Sequence, residues 1–288
     1  MVTALLATPV SGRSPEEPPP GLVPPLPPRR HTAARGRLAA ALRAVGPLAL
    51  LAGWWTASAT GVLTPDVLAS PPDVVRAVGE LWGNGQLADA LRVSLTRSGL
   101  GLLLGAGTGL LLGIVTGLSR LGDQLLDSAV QVLRTLPFLA LAPLFMVWFG
   151  IDEASKVILI AVATTFPMYV NTASGVRTTD PRLLEAMRTF GLHGIALVRQ
   201  VVVPAALPSV LAGLRLSMTL SVIALVAAEE INSTAGIGYL MAQAQNYART
   251  DILALCVIIY GVLGLAADGI VRTLERLLAP WRRAGAAR

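Results

Sequence analysis

The chain is poor in the residues from which most catalytic and redox sites are built. Its 288 residues include one lysine, one cysteine and two histidines. A single Cys256 excludes an internal disulfide framework. Its apolar surroundings suit a small packing residue. His31 and His193 each stand alone, and no His/Cys/carboxylate group has metal-ligand spacing, so no metal site is expected. The lone Lys156 is followed by Val157, so the Gly-x4-Gly-Lys-[Ser/Thr] loop that cradles nucleotide phosphates is absent. Charge is scarce too, at 14% of residues, against about 25% in soluble domains. No polar cluster suggests an enzyme. The net charge of +6 has no soluble domain on which to form a nucleic-acid-binding face.

What is abundant is apolar. Hydrophobic residues make up 53% of the chain, and mean hydropathy is +0.64. Six stretches approach the roughly 20 residues that a spanning helix needs. They are Ala44–Leu63, Gly99–Leu118, Ala129–Gly150, Val157–Ser174, Leu211–Ala228 and Ile252–Ile270. They are continuous and rich in Leu, Ala and Gly, unlike the alternating segments of about 10 residues in a barrel. Lipid leaves backbone groups no outside partner, so each is read as a helix. The expectation is an all-α integral membrane protein with about six transmembrane helices. With a cytoplasmic N-terminus, 16 basic residues fall inside and five outside, namely Arg76, Arg92, Arg97, Lys156 and Arg249. That bias places both termini in the cytoplasm.

Residues 1–37 crowd Pro15, Pro18, Pro19, Pro20, Pro24, Pro25, Pro27 and Pro28 before Arg29 and Arg30. Such a Pro/Arg-rich segment reads as a disordered cytoplasmic tail ahead of a membrane domain over 38–288. Thr64–Ser98 reads as an external loop with an amphipathic piece from Asp73 to Trp82. The second span repeats glycine every fourth residue, at Gly101, Gly105, Gly109, Gly113 and Gly117. Small residues at that spacing form a face for close helix packing. Packing within one subunit is the plain reading, and an inter-subunit or moving contact is the alternative. Pro137 and Pro143 in the third span, and Pro167 in the fourth, predict kinks. Charges within spans are costly and therefore candidates for function. Arg134, just ahead of Pro137, is a candidate pathway or gate residue, with an interfacial anchor or an inter-helix pair as the alternative. Glu229 and Glu230, at the outer end of the fifth span, are candidates for contact with the outer gate or with a partner protein outside, or simply exposed carboxylates. Arg215 and Asp268 lie near span ends.

The segment 175–210 carries the clearest design. Asp180 is placed to cap a helix starting at Pro181. Gly191 supplies a left-handed turn just past Phe190. A second amphipathic stretch runs from Ile195 to Val203, where Pro204 and Pro208 are expected to stop it. A helix–glycine–helix element with so little core suits docking against another protein. Its residues Glu185-Ala186-Met187, then Gly191 after three, then Val201-Val202-Val203-Pro204 after nine, resemble the cytoplasmic coupling loop of bacterial ABC-importer permeases. That motif reads E-A-A, x3, G, x9, I-x-L-P; Met187, Val201 and Val203 depart from it. Further stretches resemble the aliphatic sulfonate, taurine and nitrate branch. They include Leu133-Arg134-Thr135-Leu136-Pro137, Leu141-Ala142-Pro143-Leu144-Phe145, Ala227-Ala228-Glu229-Glu230, Gly236-Ile237-Gly238-Tyr239-Leu240 and Arg249-Thr250-Asp251.

The resemblance implies the type I importer permease fold in a bacterial inner membrane. It implies an ATP-binding subunit dimer that holds ATP and magnesium, a second permease copy forming a homodimer, and an extracytoplasmic substrate-binding protein. Membrane lipid surrounds the chain, and no nucleic acid is involved. The implied substrate is a small anion, an alkanesulfonate or taurine ahead of nitrate. A vitamin or pyrimidine precursor is the alternative within the family. A secondary transporter is the more distant one, and it would show an internal repeat that is not visible here.

Overall fold

The computed structural model describes residues 33–119, 122, 132, 138–150, 152–231 and 233–278. The regular elements among them are all helical. Helix α1 is Ala33–Ala59, α2 Pro71–Gly83, α3 Gln86–Leu118, α4 Ala142–Phe149 and α5 Glu153–Arg177. They are followed by α6 Pro181–Thr189, α7 Gly194–Leu197, α8 Val203–Glu230, α9 Ile237–Asn246 and α10 Thr250–Leu278. The described residues divide between Ala52 and Gly53 into two units, and the second carries all that follows. The prolines of the N-terminal tail lie outside the described residues, and α1 already begins at Ala33.

Four described helical stretches are long and apolar enough to cross a membrane: Gln86–Leu118, Glu153–Arg177, Gly194–Glu230 and Thr250–Leu278. They cover the second, fourth, fifth and sixth expected spans, the second longer at its N-terminal end and the others at both ends. The expected third span is described chiefly from residue 138 onward. There it is a 3-10 turn, Phe138–Leu141, followed by the eight-residue α4, which ends at Gly150 with φ +80°. Pro143 therefore sits in the first turn of a short helix and does not kink a long one.

The expected external loop 64–98 is mostly helix. Ser70 is the N-cap of α2, Pro71 and Pro72 occupy its first positions, and Asp73 accepts hydrogen bonds from the Ser70 amide and hydroxyl. The Ser70 hydroxyl holds the Asp73 carboxyl below its ordinary value. One face of α2 packs Val74, Ala77 and Leu81 against Leu87 of α3 and Ala254 and Leu255 of α10. Gly85, at φ +81°, then turns the chain directly into α3. Here Leu87, Ala90, Ser94, Arg97 and Gly101 are all buried at helical spacing. That face extends the helix through the supposed loop.

The glycine stripe of α3 meets α5 within the same chain. A Cβ on Gly101 would lie 2.6 Å from Cβ of Ile160, and one on Gly113 2.6 Å from Cβ of Thr172. Gly105, Gly109 and Gly117 face Thr164, Met168 and Val176 in the same way. Every pair is separated by the same 59 positions, so α3 and α5 run parallel with two rows of i, i+4 residues interlocked. Thr164 Oγ1 lies 3.4 Å from the Gly101 carbonyl it can donate to, a contact that only such close backbones allow. On the other side, α8 packs along α5. Gly213 approaches Asn171 and Pro167, and Ser217 Oγ donates to the Thr164 carbonyl at 2.8 Å.

Candidate functional site

Two sites lie toward opposite ends of these helices. The first is the loop between α5 and α8. Asp180 Oδ1 accepts from the Arg182 amide at 2.9 Å, and Pro181 opens α6. The helix closes with Gly191 N–H donating to the Arg188 carbonyl at 3.0 Å and Leu192 N–H donating to the Met187 carbonyl at 3.1 Å. This pairing is a Schellman motif, and it requires the left-handed residue just past the cap. Gly191 supplies it at φ +86°. A Cβ there would meet nothing within 4 Å, so the demand is purely conformational.

Beyond the turn, α7 passes into one wide π-type turn, Val198–Val202, and then into α8 without a break. The expectation that Pro204 and Pro208 stop this helix is therefore corrected. Pro204 occupies the second position of α8, directly after the wide turn in which Val203 N–H donates to the Val198 carbonyl. That bond spans five residues, so the i−4 pattern that proline breaks is already relaxed there. Pro208 lies within α8.

The loop is anchored on one side and open on the other. Leu184 packs against Val176, Val202 and Ala206, and Val201 is buried. Phe190 and Ile195 are 80% and 85% exposed. Glu185, Ala186, Val203 and Pro204 are also exposed. A groove of about 370 Å³ separates α6 from the start of α8, lined by Leu183, Met187, Gln200, Val201, Pro204 and Ala205. Met187, the bulkier departure from the motif, thus forms a groove wall. The structure brings Met187, Val201 and Pro204 together, while Glu185 and Ala186 occupy the open surface of α6.

The second site is a buried ion network where α3 and α5 begin and α8 ends. Glu229 is fully buried. It accepts from Ser94 Oγ at 2.7 Å, Arg97 Nη1 at 2.8 Å, the Gly238 amide at 2.9 Å and the Tyr260 hydroxyl at 3.4 Å. Ser94 Oγ in turn accepts from the Ile237 amide at 2.9 Å. Arg97 also donates from Nη1 to the Ala235 carbonyl at 2.7 Å, and from Nε and Nη2 to Glu153 at 2.5 Å each. Glu153 takes a second, looser contact from Lys156 at 3.4 Å. The Gly236-Ile237-Gly238 turn wraps this carboxylate. At Gly236, φ is +108°, and a Cβ would crowd Glu229 and Arg97; one on Gly238 would press on Glu229. These glycines exist to let the turn close on Glu229.

Neighbouring acidic residues therefore differ completely. Glu230 is the exposed last residue of α8, whereas Glu229 is fully buried and so is not an exposed carboxylate. Arg97 and Lys156, counted as external loop residues, are buried instead, with side chains 2% and 3% exposed. A signal for both was present. Arg97 lies four residues before Gly101, and Lys156 four before Ile160, so they continue the two interlocked rows. Arg134 and Pro137 lie outside the described residues. Arg249, in the last quoted stretch, forks between Asp251 and Glu80 at 2.8 Å each and ties α2 to the start of α10. Among the described residues no group of His, Cys, Asp and Glu could hold a metal ion.

Comparison with known proteins places these features in a group. Residues 109–280 match the family described as "Binding-protein-dependent transport system inner membrane component". The chain is 45% identical over 238 residues to the Escherichia coli K12 protein named "Putative aliphatic sulfonates transport permease protein SsuC", covering 83% of this chain and 90% of that one. It is 32% identical to the "Taurine transport system permease protein TauC" of the same organism, covering 82% and 88%. Among solved structures it is similar to a chain of "an amino acid ABC transporter with histidines", with a TM-score of 0.56 and 18% identity over 69% of this chain and 97% of that one. This last likeness is one of fold.

Proposed function

The chain belongs to the binding-protein-dependent transport system inner membrane component family, as a permease subunit of an ABC importer, and from that premise we propose that it conducts alkanesulfonates and is driven through the α6–Gly191–α7 loop. One observation carries the coupling part. A short helix is locked onto the end of α5 and the start of α8 by Leu184, while Phe190 and Ile195 point away with no core to cover them. Large apolar side chains held on a rigid, exposed turn are anchors for a partner groove. The partner is an ATP-binding subunit dimer, which holds ATP and magnesium. Movement of its groove displaces α6 and, through the continuous helix from Gly194, the whole of α8.

The loop end faces the cytoplasm in this reading, as do both termini, in keeping with the distribution of arginine. A second copy of the chain completes the pathway, and an extracytoplasmic binding protein delivers substrate at the α2–α9 end. Lipid covers the remaining apolar helix faces. Sulfonate ranks ahead of other anions because the similarity to SsuC spans nearly the whole of that protein at 45% identity. The test is growth on an alkanesulfonate as sole sulfur source, in a strain lacking other sulfonate importers. Deletion of this chain abolishes that growth and leaves growth on sulfate intact. Unimpaired growth of the deletion strain overturns the substrate reading and leaves the permease standing.

A further inference from the structure

Arg97 has two edges with different duties. Its Nη1 faces inward, to Glu229 and the Ala235 carbonyl. Its Nε and Nη2 form a fork whose two bonds both go to Glu153. The two carboxylates are not equivalent. Glu229 has no exposure and is held by a hydroxyl, an amide and the guanidinium, so it cannot leave cheaply. The Glu153 side chain is 61% exposed, is the first residue of α5, and has Lys156 as an alternative partner. A cavity of about 510 Å³ opens beside it, lined by Arg92, Thr96, Arg97, Leu100, Glu153 and Val157 among others. That volume falls in the range of small-molecule sites. Its walls combine the Arg92 and Arg97 guanidinium groups and the apolar Leu100 and Val157 with the carboxylates of Asp89 and Glu153, so an oxyanion head with a short alkyl body fits at the guanidinium side.

We propose that the Nε/Nη2 edge of Arg97 is an oxyanion subsite on the transport path, where the substrate's sulfonate replaces the Glu153 carboxylate. This rests on the alkanesulfonate reading above. Two sulfonate oxygens accept the parallel N–H bonds that the carboxylate accepts now. The charge opposite Arg97 is unchanged by the exchange, and Glu153 retains Lys156. The first turn of α5 adds the positive end of a helix dipole. The displaced carboxylate stays tethered one side chain away, so it competes for its old place at high effective concentration. Glu153 thereby keeps the site weak and returns to expel the substrate, as a transport path requires.

The test uses the complete importer in nanodiscs without its binding protein, with radiolabelled ethanesulfonate as the probe and equilibrium dialysis as the readout. Glu153→Gln, whose neutral amide competes poorly for a guanidinium, tightens ethanesulfonate binding by about tenfold. Glu153→Asp, with a shorter reach, gives a smaller gain of the same sign and serves if the glutamine variant assembles badly. Neither changes binding of ethanesulfonamide, the neutral analogue. Val157→Trp, which fills the cavity without touching the Arg97–Glu229 pair, removes the gain in the Glu153→Gln background. Unchanged ethanesulfonate affinity in both Glu153 variants, or an equal change for the sulfonamide, overturns the subsite and leaves Glu153 a structural counter-ion. Uptake by the unmodified importer is measured alongside. Absent alkanesulfonate uptake removes the substrate reading and the subsite with it, whereas normal uptake without the Glu153 response removes the subsite alone.

Discussion

Replacing Glu229 should destabilise the chain more than replacing any other single carboxylate. Glu229→Leu leaves Arg97, whose side chain is 2% exposed, with Glu153 as its one remaining carboxylate partner. It also strands the Gly238 amide and the Ser94 hydroxyl. Breaking one side of a buried ion pair costs about 3–5 kcal/mol. Glu229→Gln keeps the shape but not the charge, and should cost about half as much, near the 1–3 kcal/mol of an unsatisfied buried group. At roughly 2–4 °C per kcal/mol for a chain of this size, the leucine variant should melt about 10 °C lower. The native cysteine provides the assay. Cys256 is the only cysteine and is buried, so a thiol-reactive fluorophore reports unfolding of the detergent-solubilised protein on warming. The double variant Arg97→Met with Glu229→Leu removes the stranded cation and should recover much of the loss. If Glu229→Leu melts with the parent, or if the double variant is as unstable as the sum of its parts, the network does not hold these helices together.

Gly109→Ala should destabilise by about 1–3 kcal/mol, because its Cβ would meet the Thr165 carbonyl and Tyr169 amide, which cannot move aside; Gly107→Ala, with nothing within 4 Å, is the matched control and should melt at or above the parental temperature. Gly191→Val should insert normally yet lose transport and retain less ATPase in co-purification, while Gly191→Asn, which tolerates the left-handed conformation, should keep most of both. Equal transport by the two variants would disconnect the turn from coupling. In a background lacking Cys256, a cysteine at Asn84 or Asn246 should be labelled from outside intact cells and one at His193 should not; labelling at His193 would invert the topology.

Much of this was readable because it depends on local chemistry. The α6 cap, the Gly191 turn and the glycine stripe are each fixed by a few neighbouring residues, and the structure has all three where the spacing puts them. What was missed depends on partners far apart in the chain. Arg97 and Glu229 are separated by 132 positions. From hydropathy alone, Arg97 interrupts an apolar run and so marks the end of a span. Its burial becomes intelligible only when a carboxylate from α8 and a turn of glycines close around it. The prolines at 204 and 208 misled for a related reason. Proline's local rule favours a break, and the wide turn before α8 accommodates it at the level of the whole helix.

The most direct test of the whole reading is uptake by proteoliposomes containing this chain with its ATP-binding subunit, with the binding protein and labelled ethanesulfonate outside and ATP in the lumen. Accumulation should require ATP hydrolysis and the binding protein, and should fall to background with Gly191→Val even though that variant is inserted. Equal accumulation without ATP, or with the variant, would contradict an ATP-driven permease coupled through this loop.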